Sequence, residues 1–562
     1  MTQKAFRIAV DTGGTFTDVV IAKSDGQLEI GKSPSTPERT SDGVINGLRD
    51  AAQKLSLSVE DLVANTNVLI YGTTWATNAI ITGNTAKTAL LLTQGFPDIL
   101  VYRQGGKLHP FEMQIDPLKP YVPRSLTFEI KERINSEGGV EINLDENSVI
   151  EALKRLAEQK IESIAVCLLW SIKNPSHEIR ISELIREFLP STPFTLSHQL
   201  NPILREYPRA SSTAIDASLK PRMQRHLTEL HLDLSRLGFN GELLVSTVSG
   251  GVMHVDDIAE RPIYMVKSGP AMAPRAGFSY AAAENFSQDS LVVDTGGTTF
   301  DVSLIRKGEV KFTRETWLGP QFYGHNLGLS SVDVRSVGAG GGSIAWLDSG
   351  GLLRVGPQSA GATPGPACYG RGGTQATVTD AAVVLGYIVP EEFLGGRMPL
   401  NKNSAIRVIQ TISEKLGTSV DDAAFSIMRI ASESMIKAIQ EITINEGVNP
   451  RESIIVAGGG AAGLNILPIA NALGCKQVLL PKTAGALSAC GAQYSDIVVD
   501  FSASQYLRTD QWDPDLVNKT VSELDARIET FVDGLKRKGI KQYEKEFFVD
   551  ARYLNQQWET EI

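Results

Sequence analysis

The chain is poor in the residues that most site chemistries need. Its four cysteines, Cys167, Cys368, Cys475 and Cys490, stand far apart in 562 residues with no Cys-x-x-Cys pair, which excludes a zinc ribbon and a disulfide framework. Each reads as a small buried residue. The seven histidines are equally scattered; the closest, His226 and His231, are five apart and do not share a helical face, so no transition metal held by this chain is expected. Lys and Arg number 54 against 64 Asp and Glu, for a net charge of -10, and no basic run is dense enough to mark a nucleic-acid partner. The short piece KPRMQRH, Lys220 to His226, reads as a solvated helix face. No apolar run is long enough for a bilayer, and the opening MTQKAFRIAVDTGG reaches a glycine loop before a leader-type segment forms. The expectation is a cytoplasmic protein with no membrane partner.

Glycine, by contrast, is abundant at 51 residues, and part of it lies in a repeated unit. VDTGGTFTDVV at Val10 to Val20 returns as VDTGGTTFDVSLI at Val293 to Ile305. Each copy is a short apolar run, a glycine turn and a return run with no helix between, which predicts a β-hairpin. Alignment puts Asp11 with Asp294, Gly13 and Gly14 with Gly296 and Gly297, Thr15 with Thr298, and Asp18 with Asp301. Between the copies VIEALKRLAEQKI and HEIRISELIREFL are amphipathic and flank the buried-strand run ESIAVCLLW, an alternation that predicts a parallel or mixed sheet covered by helices. After the second copy the glycine-rich tract Val337 to Thr374 lacks periodicity and reads as a long functional loop. A long helix follows, begun by Ser419 and Asp422 and ended by Gly447. SIIVAGGGAAG then runs as a strand into glycines and the helix LNILPIANALG. The chain is accordingly divided into a first lobe at residues 1–190, a second at 191–500 and a C-terminal segment at 501–562.

A Thr/Gly loop between two strands offers several backbone N–H groups and hydroxyls on one side, a cradle for phosphate, and an Asp at its base can hold Mg²⁺ through water. Two such loops could clamp one nucleotide's phosphates, with the third glycine cluster, Gly458 to Gly463, receiving the adenosine. Other nucleotide motifs fail on the same residues. No Gly-x-x-x-x-Gly-Lys-[Ser/Thr] occurs. GGGAAG matches Gly-x-Gly-x-x-Gly, but the acidic residue a dinucleotide site wants about twenty positions on is replaced by VLLPKT, with Pro481 and Lys482. No Gly-x-Ser-x-Gly elbow is present.

Duplicated hairpins followed by a strand-glycine-helix segment resemble the actin, Hsp70 and sugar-kinase superfamily. The resemblance implies an α/β fold with duplicated ribonuclease H-like lobes, a nucleotide cleft between them and a short or truncated C-terminal domain. DTGGTFTD, YGTTWATNAI (Tyr71 to Ile80), LTQGFPD (Leu92 to Asp98), REYPRAS (Arg205 to Ser211), KSGPA (Lys267 to Ala271), DTGGTTFD, GAGGGSIA, VGPQSAGATPGPACYGRGG and TVTDA (Thr377 to Ala381) together resemble the hydantoinase A family. That family includes 5-oxoprolinase, N-methylhydantoin amidohydrolase, caprolactamase and the ATP-binding subunits of acetone and acetophenone carboxylases. It implies ATP and Mg²⁺ as cofactors, phosphoryl transfer to a small carbonyl compound, and a hydantoinase B-type second subunit in a hetero-oligomer. Matched motifs give Asp11 and Asp294 the catalytic and metal-positioning role, with Asp18 and Asp301 beside them. Gly13, Gly14, Thr15, Gly296, Gly297 and Thr298 would hold phosphates, and Gly459 and Gly460 would border the adenosine. Thr73, Thr74 and Asn78 either cap a helix or touch substrate. Arg205, with Glu206 and Arg209, forms either a buried ion-pair network or part of the site, and Cys368 is expected to pack and not to react.

Two departures from the family pattern stand out. The adenosine segment reads GGAAGLN where members carry Gly-Gly-Ala-Gly-Pro-Leu-His, and a β-rich domain expected beyond DARYLNQQWE is taken to be absent or on another chain. VSELDARIETFVDGLKRKGI reads there as an amphipathic helix and EKEFFVDARYL as a strand needing partners. The main reading is a cyclic-amide hydrolase subunit; the alternatives are a ketone carboxylase subunit and a non-catalytic nucleotide-binding scaffold.

Overall fold

The structure is a computed structural model and describes residues 5–36, 38–105, 119–286, 289–319, 323–537, 540, 542–556 and 559–561. Its contacts divide it into Met1–Asn201 with Arg205–Val499, and Pro202–Leu204 with Asp500–Ile562.

Both copies of the repeat fold as the expected hairpins. Phe6–Thr12 pairs antiparallel with Phe16–Lys23, and Ser290–Thr295 with Phe300–Arg306. The second hairpin reverses again at Lys307 and Gly308, both with positive φ. The strands read as continuous apolar runs because both their faces are covered. In the first, Ile8 and Val10 pack with Val44 and Leu48 of helix Thr40–Lys54, while Ala9 faces Ala271 and Met272 of helix Ser268–Ala283.

Each hairpin nucleates a sheet of the same plan. The first sheet runs Val252–His254, Glu242–Ser246, Thr66–Thr73, Phe6–Thr12, Phe16–Lys23, Leu28–Pro34. The second runs Glu309–Val310, Phe300–Arg306, Ser290–Thr295, Ile454–Gly458, Gln477–Leu479, with Val334–Val337 also on Phe300–Arg306. In both, the hairpin's first strand has a parallel neighbour arriving from far along the chain. A four-stranded parallel sheet, ordered Phe194–Leu196, Ser163–Cys167, Thr88–Thr93, Thr127–Ile130, is inserted within the first lobe. The predicted helices flanking it form as Glu146–Glu158 and Ser176–Phe188.

The first sheet continues past residue 190: Glu242–Ser246 pairs parallel to Thr66–Thr73, so the four-stranded sheet and helix Glu206–Arg236 are an excursion between its strands. Two sequence expectations need correction. The glycine-rich tract is not a structureless loop, because Ser343–Leu347 and Leu353–Ser359 form a hairpin. Its turn is set by Asp348, whose carboxylate accepts from Gly350 and Leu352 N–H. In the C-terminal unit the expected helix is Pro514–Arg537, its predicted residues 538 and 539 lying outside the described residues. The expected strand is reduced to Asp550–Ala551 paired with Thr560–Glu561, with Phe547, Phe548 and Val549 exposed. Gln557 and Trp558 of DARYLNQQWE also lie outside the described residues.

Helices Ser268–Ala283 and Leu487–Gln493 lie between the two large sheets. Ala273, Ala276, Leu487 and Cys490 share one core with Val20 of the first sheet and Val292 and Val456 of the second. Their crossing requires small residues: a methyl group added at Gly491 would stand 1.9 Å from Met272 O. Gly491→Ala should therefore force the helices apart and cost about 1–3 kcal/mol. Thermal melting checks this, and an unchanged midpoint would contradict it.

Candidate active site at the paired aspartate loops

Hairpin register places the four repeated aspartates in two matched pairs. Asp11 stands opposite Asp18, and Asp294 opposite Asp301. The parallel neighbours are matched too: Asp11 lies beside Gly72, and Asp294 beside Gly458. The segment YGTT is therefore the first lobe's counterpart of AGGG, an equivalence invisible in the sequence because the two share only one glycine. A side chain would be tight at Gly72 and is excluded at Gly459. A methyl group on Gly72 would reach within 3.2 Å of Asp11 Oδ1, and one on Gly459, at φ +90°, within 2.5 Å of Asp294 Oδ1.

The two turns face one another. A methyl group on Gly297 would sit 3.1 Å from Thr15 Oγ1, so the first DTGGT loop approaches the second. Both turns are closed from within, Gly13 N–H donating to Phe16 O at 3.0 Å and Gly296 N–H to Thr299 O at 2.9 Å. The tips carrying Gly14, Gly297 and Thr298 remain exposed. The first is backed by Ser35, which donates to Gly13 O at 2.7 Å. The second is backed by the glycine tract: Gly341 and Gly342 N–H donate to Gly296 O and Gly297 O. A methyl group at Gly340 would meet Thr298 backbone at 2.7 Å, which gives part of that tract a steric purpose.

Burial governs the electrostatics, with neighbouring carboxylates second. Burial, then the Asp18 charge, with Lys32 opposing, pushes Asp11 up to about 7. Burial, then Asp301 and Asp11, pushes Asp294 up to about 7 against a hydrogen bond from Ser488. Asp18 and Asp301 are also raised by burial. Asp11 Oδ1 and Asp301 Oδ1 are buried without a hydrogen-bond partner. Such oxygens call for a proton or a cation. Two lysines flank the cluster, and neither was singled out from the sequence. Lys32 is bonded to Asp18 at 2.5 Å. Lys267 caps the N-terminus of helix Ser268–Ala283 at φ +60°, its N–H on Thr77 Oγ1; burial lowers its pKa, opposed by Asp301 and Asp333. The next turn brings Gly269 against Asp11, where a methyl group would stand 3.3 Å from Oδ1. KSGPA is thus part of this site, and its signal lay in the motif itself.

The remaining candidates divide. Thr73 and Thr74 adjoin the first loop: Thr74 N–H donates to Thr12 O at 3.0 Å. Thr73 Oγ1 accepts from Trp75 N–H, and Asn78 donates to Thr74 Oγ1. Gly459 lies against Asp294 and Thr295, while Gly460 is exposed with open space above it. Arg205 is the capping residue at the start of helix Glu206–Arg236. Arg209 of that helix is buried in another network, donating to Leu168 O, Ser171 Oγ and Ser197 Oγ beside the Glu178–His198 pair. Cys368 is buried, its thiol pushed up by burial and Asp380. Among the described residues no three His, Cys, Asp or Glu side chains form a direct metal cage, and no helix is long and apolar enough to cross a membrane.

Comparison with known proteins decides the family. The Hydantoinase/oxoprolinase pattern matches residues 209–501, and that of the Hydantoinase/oxoprolinase N-terminal region matches residues 7–189. The chain belongs to the hydantoinase/oxoprolinase family. It is 36% identical to caprolactamase subunit alpha of Pseudomonas jessenii, covering 100% of this chain and 81% of that one. It is 34% identical to the acetophenone carboxylase gamma subunit of Aromatoleum aromaticum, covering 97% and 76%. The crystal structure of ATP-dependent caprolactamase from Pseudomonas jessenii superposes with a TM-score of 0.85 at 36% identity, over 99% of this chain and 80% of that one. The α/β fold expected from the repeat is the one this family has.

The crowding predicts a pH dependence in the chelated, nucleotide-free protein. Asp11 and Asp294 have folded-state pKa values near 7 against 3.8 unfolded, so the stability they contribute is full below about pH 4 and is lost as pH rises through 7. The variant Asp11→Asn/Asp294→Asn should melt above the parent at pH 8 and approach it at pH 4.5. Equal melting differences at both pH values would contradict this.

Proposed function

We propose that the chain is the ATP-binding catalytic subunit of a cytoplasmic, hetero-oligomeric cyclic-amide hydrolase, working with a hydantoinase B-type partner. The observation that carries this reading is the convergence of two glycine turns over four crowded carboxylates, in a chain 36% identical to caprolactamase subunit alpha. ATP held there would supply a phosphoryl group to the oxygen of an unreactive carbonyl, and Mg²⁺ would neutralise charge that develops on the transferring group.

The residues fit both groups. The exposed tips at Gly14, Gly297 and Thr298 present backbone N–H groups of the kind that cradle phosphate. Gly460, which follows the Gly459 that lies against Asp294 and which itself has open space on its outer side, borders the space for the nucleoside. Four carboxylates against Lys32 and Lys267 leave a negative surplus that a divalent cation balances, and the unpartnered oxygens of Asp11 and Asp301 are where it is unmet. The rigid backing of both turns keeps these dipoles fixed, so little reorganisation is needed as charge shifts. Thr73 and Thr74, joined to the first loop through Thr12, stand where an acceptor could be oriented. The 34% identity to acetophenone carboxylase gamma subunit supports a second reading, carboxylation of a ketone, on the same site.

With the partner subunit present, lactams, hydantoins, 5-oxoproline, and ketones with bicarbonate are to be screened for nucleotide release. A lactam, hydantoin or oxoproline should stimulate it, and Asp294→Asn should lower turnover by about 100-fold or more with folding intact. Stimulation by ketone with bicarbonate alone would move the assignment to carboxylase. Absence of ATP binding by the folded complex would refute both.

A further inference from the structure

The two hairpins are copies, but the cations around them are not. Asp18 pairs in register with Lys32 of the next strand, and Asp301 with Ser336 of its next strand. Position for position, a lysine in the first lobe is replaced by a serine in the second. Lys32 is held by three contacts. Its ammonium meets Asp18 at 2.5 Å, lies over the Phe16 ring at 5.1 Å, and donates to Gly485 O at 3.3 Å. The strand beneath it is pinned by Lys32 N–H on Asp50 Oδ2 at 2.9 Å. Asp301 has only weak neutral company: Thr299 Oγ1 at 3.4 Å on one oxygen, the Ser336 hydroxyl, and Oδ1 with no partner. Lys267 acts on it through space but makes no ion pair with it within 4 Å among the described residues.

We propose that the duplicated aspartate pairs have divided the work: the divalent cation is taken by the second hairpin, at Asp294 and Asp301. The first hairpin carries a permanent substitute, Lys32, which keeps Asp18 out of metal binding. The inference rests on the nucleotide reading above and adds which carboxylates serve the metal. The physics is one of desolvation. A cation that must displace a hydrogen-bonded ammonium gains little, because one charge pair is exchanged for another, whereas a cation reaching an unpartnered buried oxygen relieves an existing penalty. Mg²⁺ also suits such a site, being held commonly by one or two carboxylates, with phosphate oxygens and water completing its shell. Asp11, with its own free oxygen between Gly72 and Gly269, is left facing the first lobe's strand ends. Lys32 is on this account a positioning residue that sets where the metal goes.

The test counts metal ions. Mn²⁺ binding in the presence of a non-hydrolysable ATP analogue is to be followed by electron paramagnetic resonance, with nucleotide binding measured separately by calorimetry and folding by melting. The parent should bind one Mn²⁺ per nucleotide-loaded chain. Asp301→Asn should weaken Mn²⁺ at least tenfold, Asp18→Asn by less than threefold, and Lys32→Met should leave nucleotide binding in place while adding a second, weaker Mn²⁺ at the freed Asp18. Equal losses in Asp18→Asn and Asp301→Asn, or an unchanged count in Lys32→Met, would overturn the division of labour and leave the nucleotide site standing. A parent that binds no nucleotide would instead remove the reading beneath it.

Discussion

The burial of four neighbouring carboxylates is the constraint around which this protein is arranged. Asp11, Asp18, Asp294 and Asp301 are brought together by folding and held in a partly dried setting where the ionised state of two of them is disfavoured. Nothing in the stability of an isolated domain calls for such an arrangement, since replacing buried charges by apolar groups is often neutral or stabilising. It makes sense as a preformed demand for positive charge, and a strained ground state of this kind is common where a ligand is to be gripped. Sheets, glycines and helices can all be read as the means of holding it in place.

Those means are repeated. In each lobe a hairpin brings one aspartate opposite another and a distant strand ends in glycine beside the first. A helix then starts close to that carboxylate: Ser268–Ala283 near Asp11, and Leu487–Gln493, through Ser488, near Asp294. The same two helices pack against each other between the sheets, with no room for even a methyl group at Gly491. The carboxylate cluster and the join between the lobes are thus built from the same segments, so a change in the spacing of one is transmitted to the other by direct contact.

The hairpins and their facing aspartates were legible in the sequence because a β-hairpin is local: its turn residues and apolar runs lie close together, between Phe6 and Lys23 in one copy and Ser290 and Arg306 in the other. The parallel strand Thr66–Thr73 was not legible as part of the site, since pairing across more than fifty residues leaves no local mark and Gly72 shares only its glycine with Gly458. The return of Glu242–Ser246 to the first sheet was not legible for the same reason, because it comes only after a whole inserted sheet. Lys32 sits in a strand where a lone lysine usually means a solvated face, and only pairing register reveals it; Lys267 belonged to the quoted motif KSGPA, but its place at the helix start emerges only from the fold. Arg205 begins a helix whose Arg209 is bound into the network around Ser171, Ser197 and Glu178, a set of contacts that the motif alone does not spell out. In the glycine tract, the absence of periodicity hid a short hairpin, and the backing of the second turn by Gly340 to Gly342 emerges only in three dimensions.

The central claim is that the two aspartate turns close on one nucleotide. A crystal structure of the assembled protein grown with Mn²⁺ and a non-hydrolysable ATP analogue, with anomalous scattering recorded at the manganese edge, tests it most directly. The account predicts triphosphate density between Gly13–Thr15 and Gly296–Thr298, with the single strong anomalous peak on the Asp294 and Asp301 side. Nucleotide bound away from both turns, or density contacting one hairpin with the other empty, would contradict it.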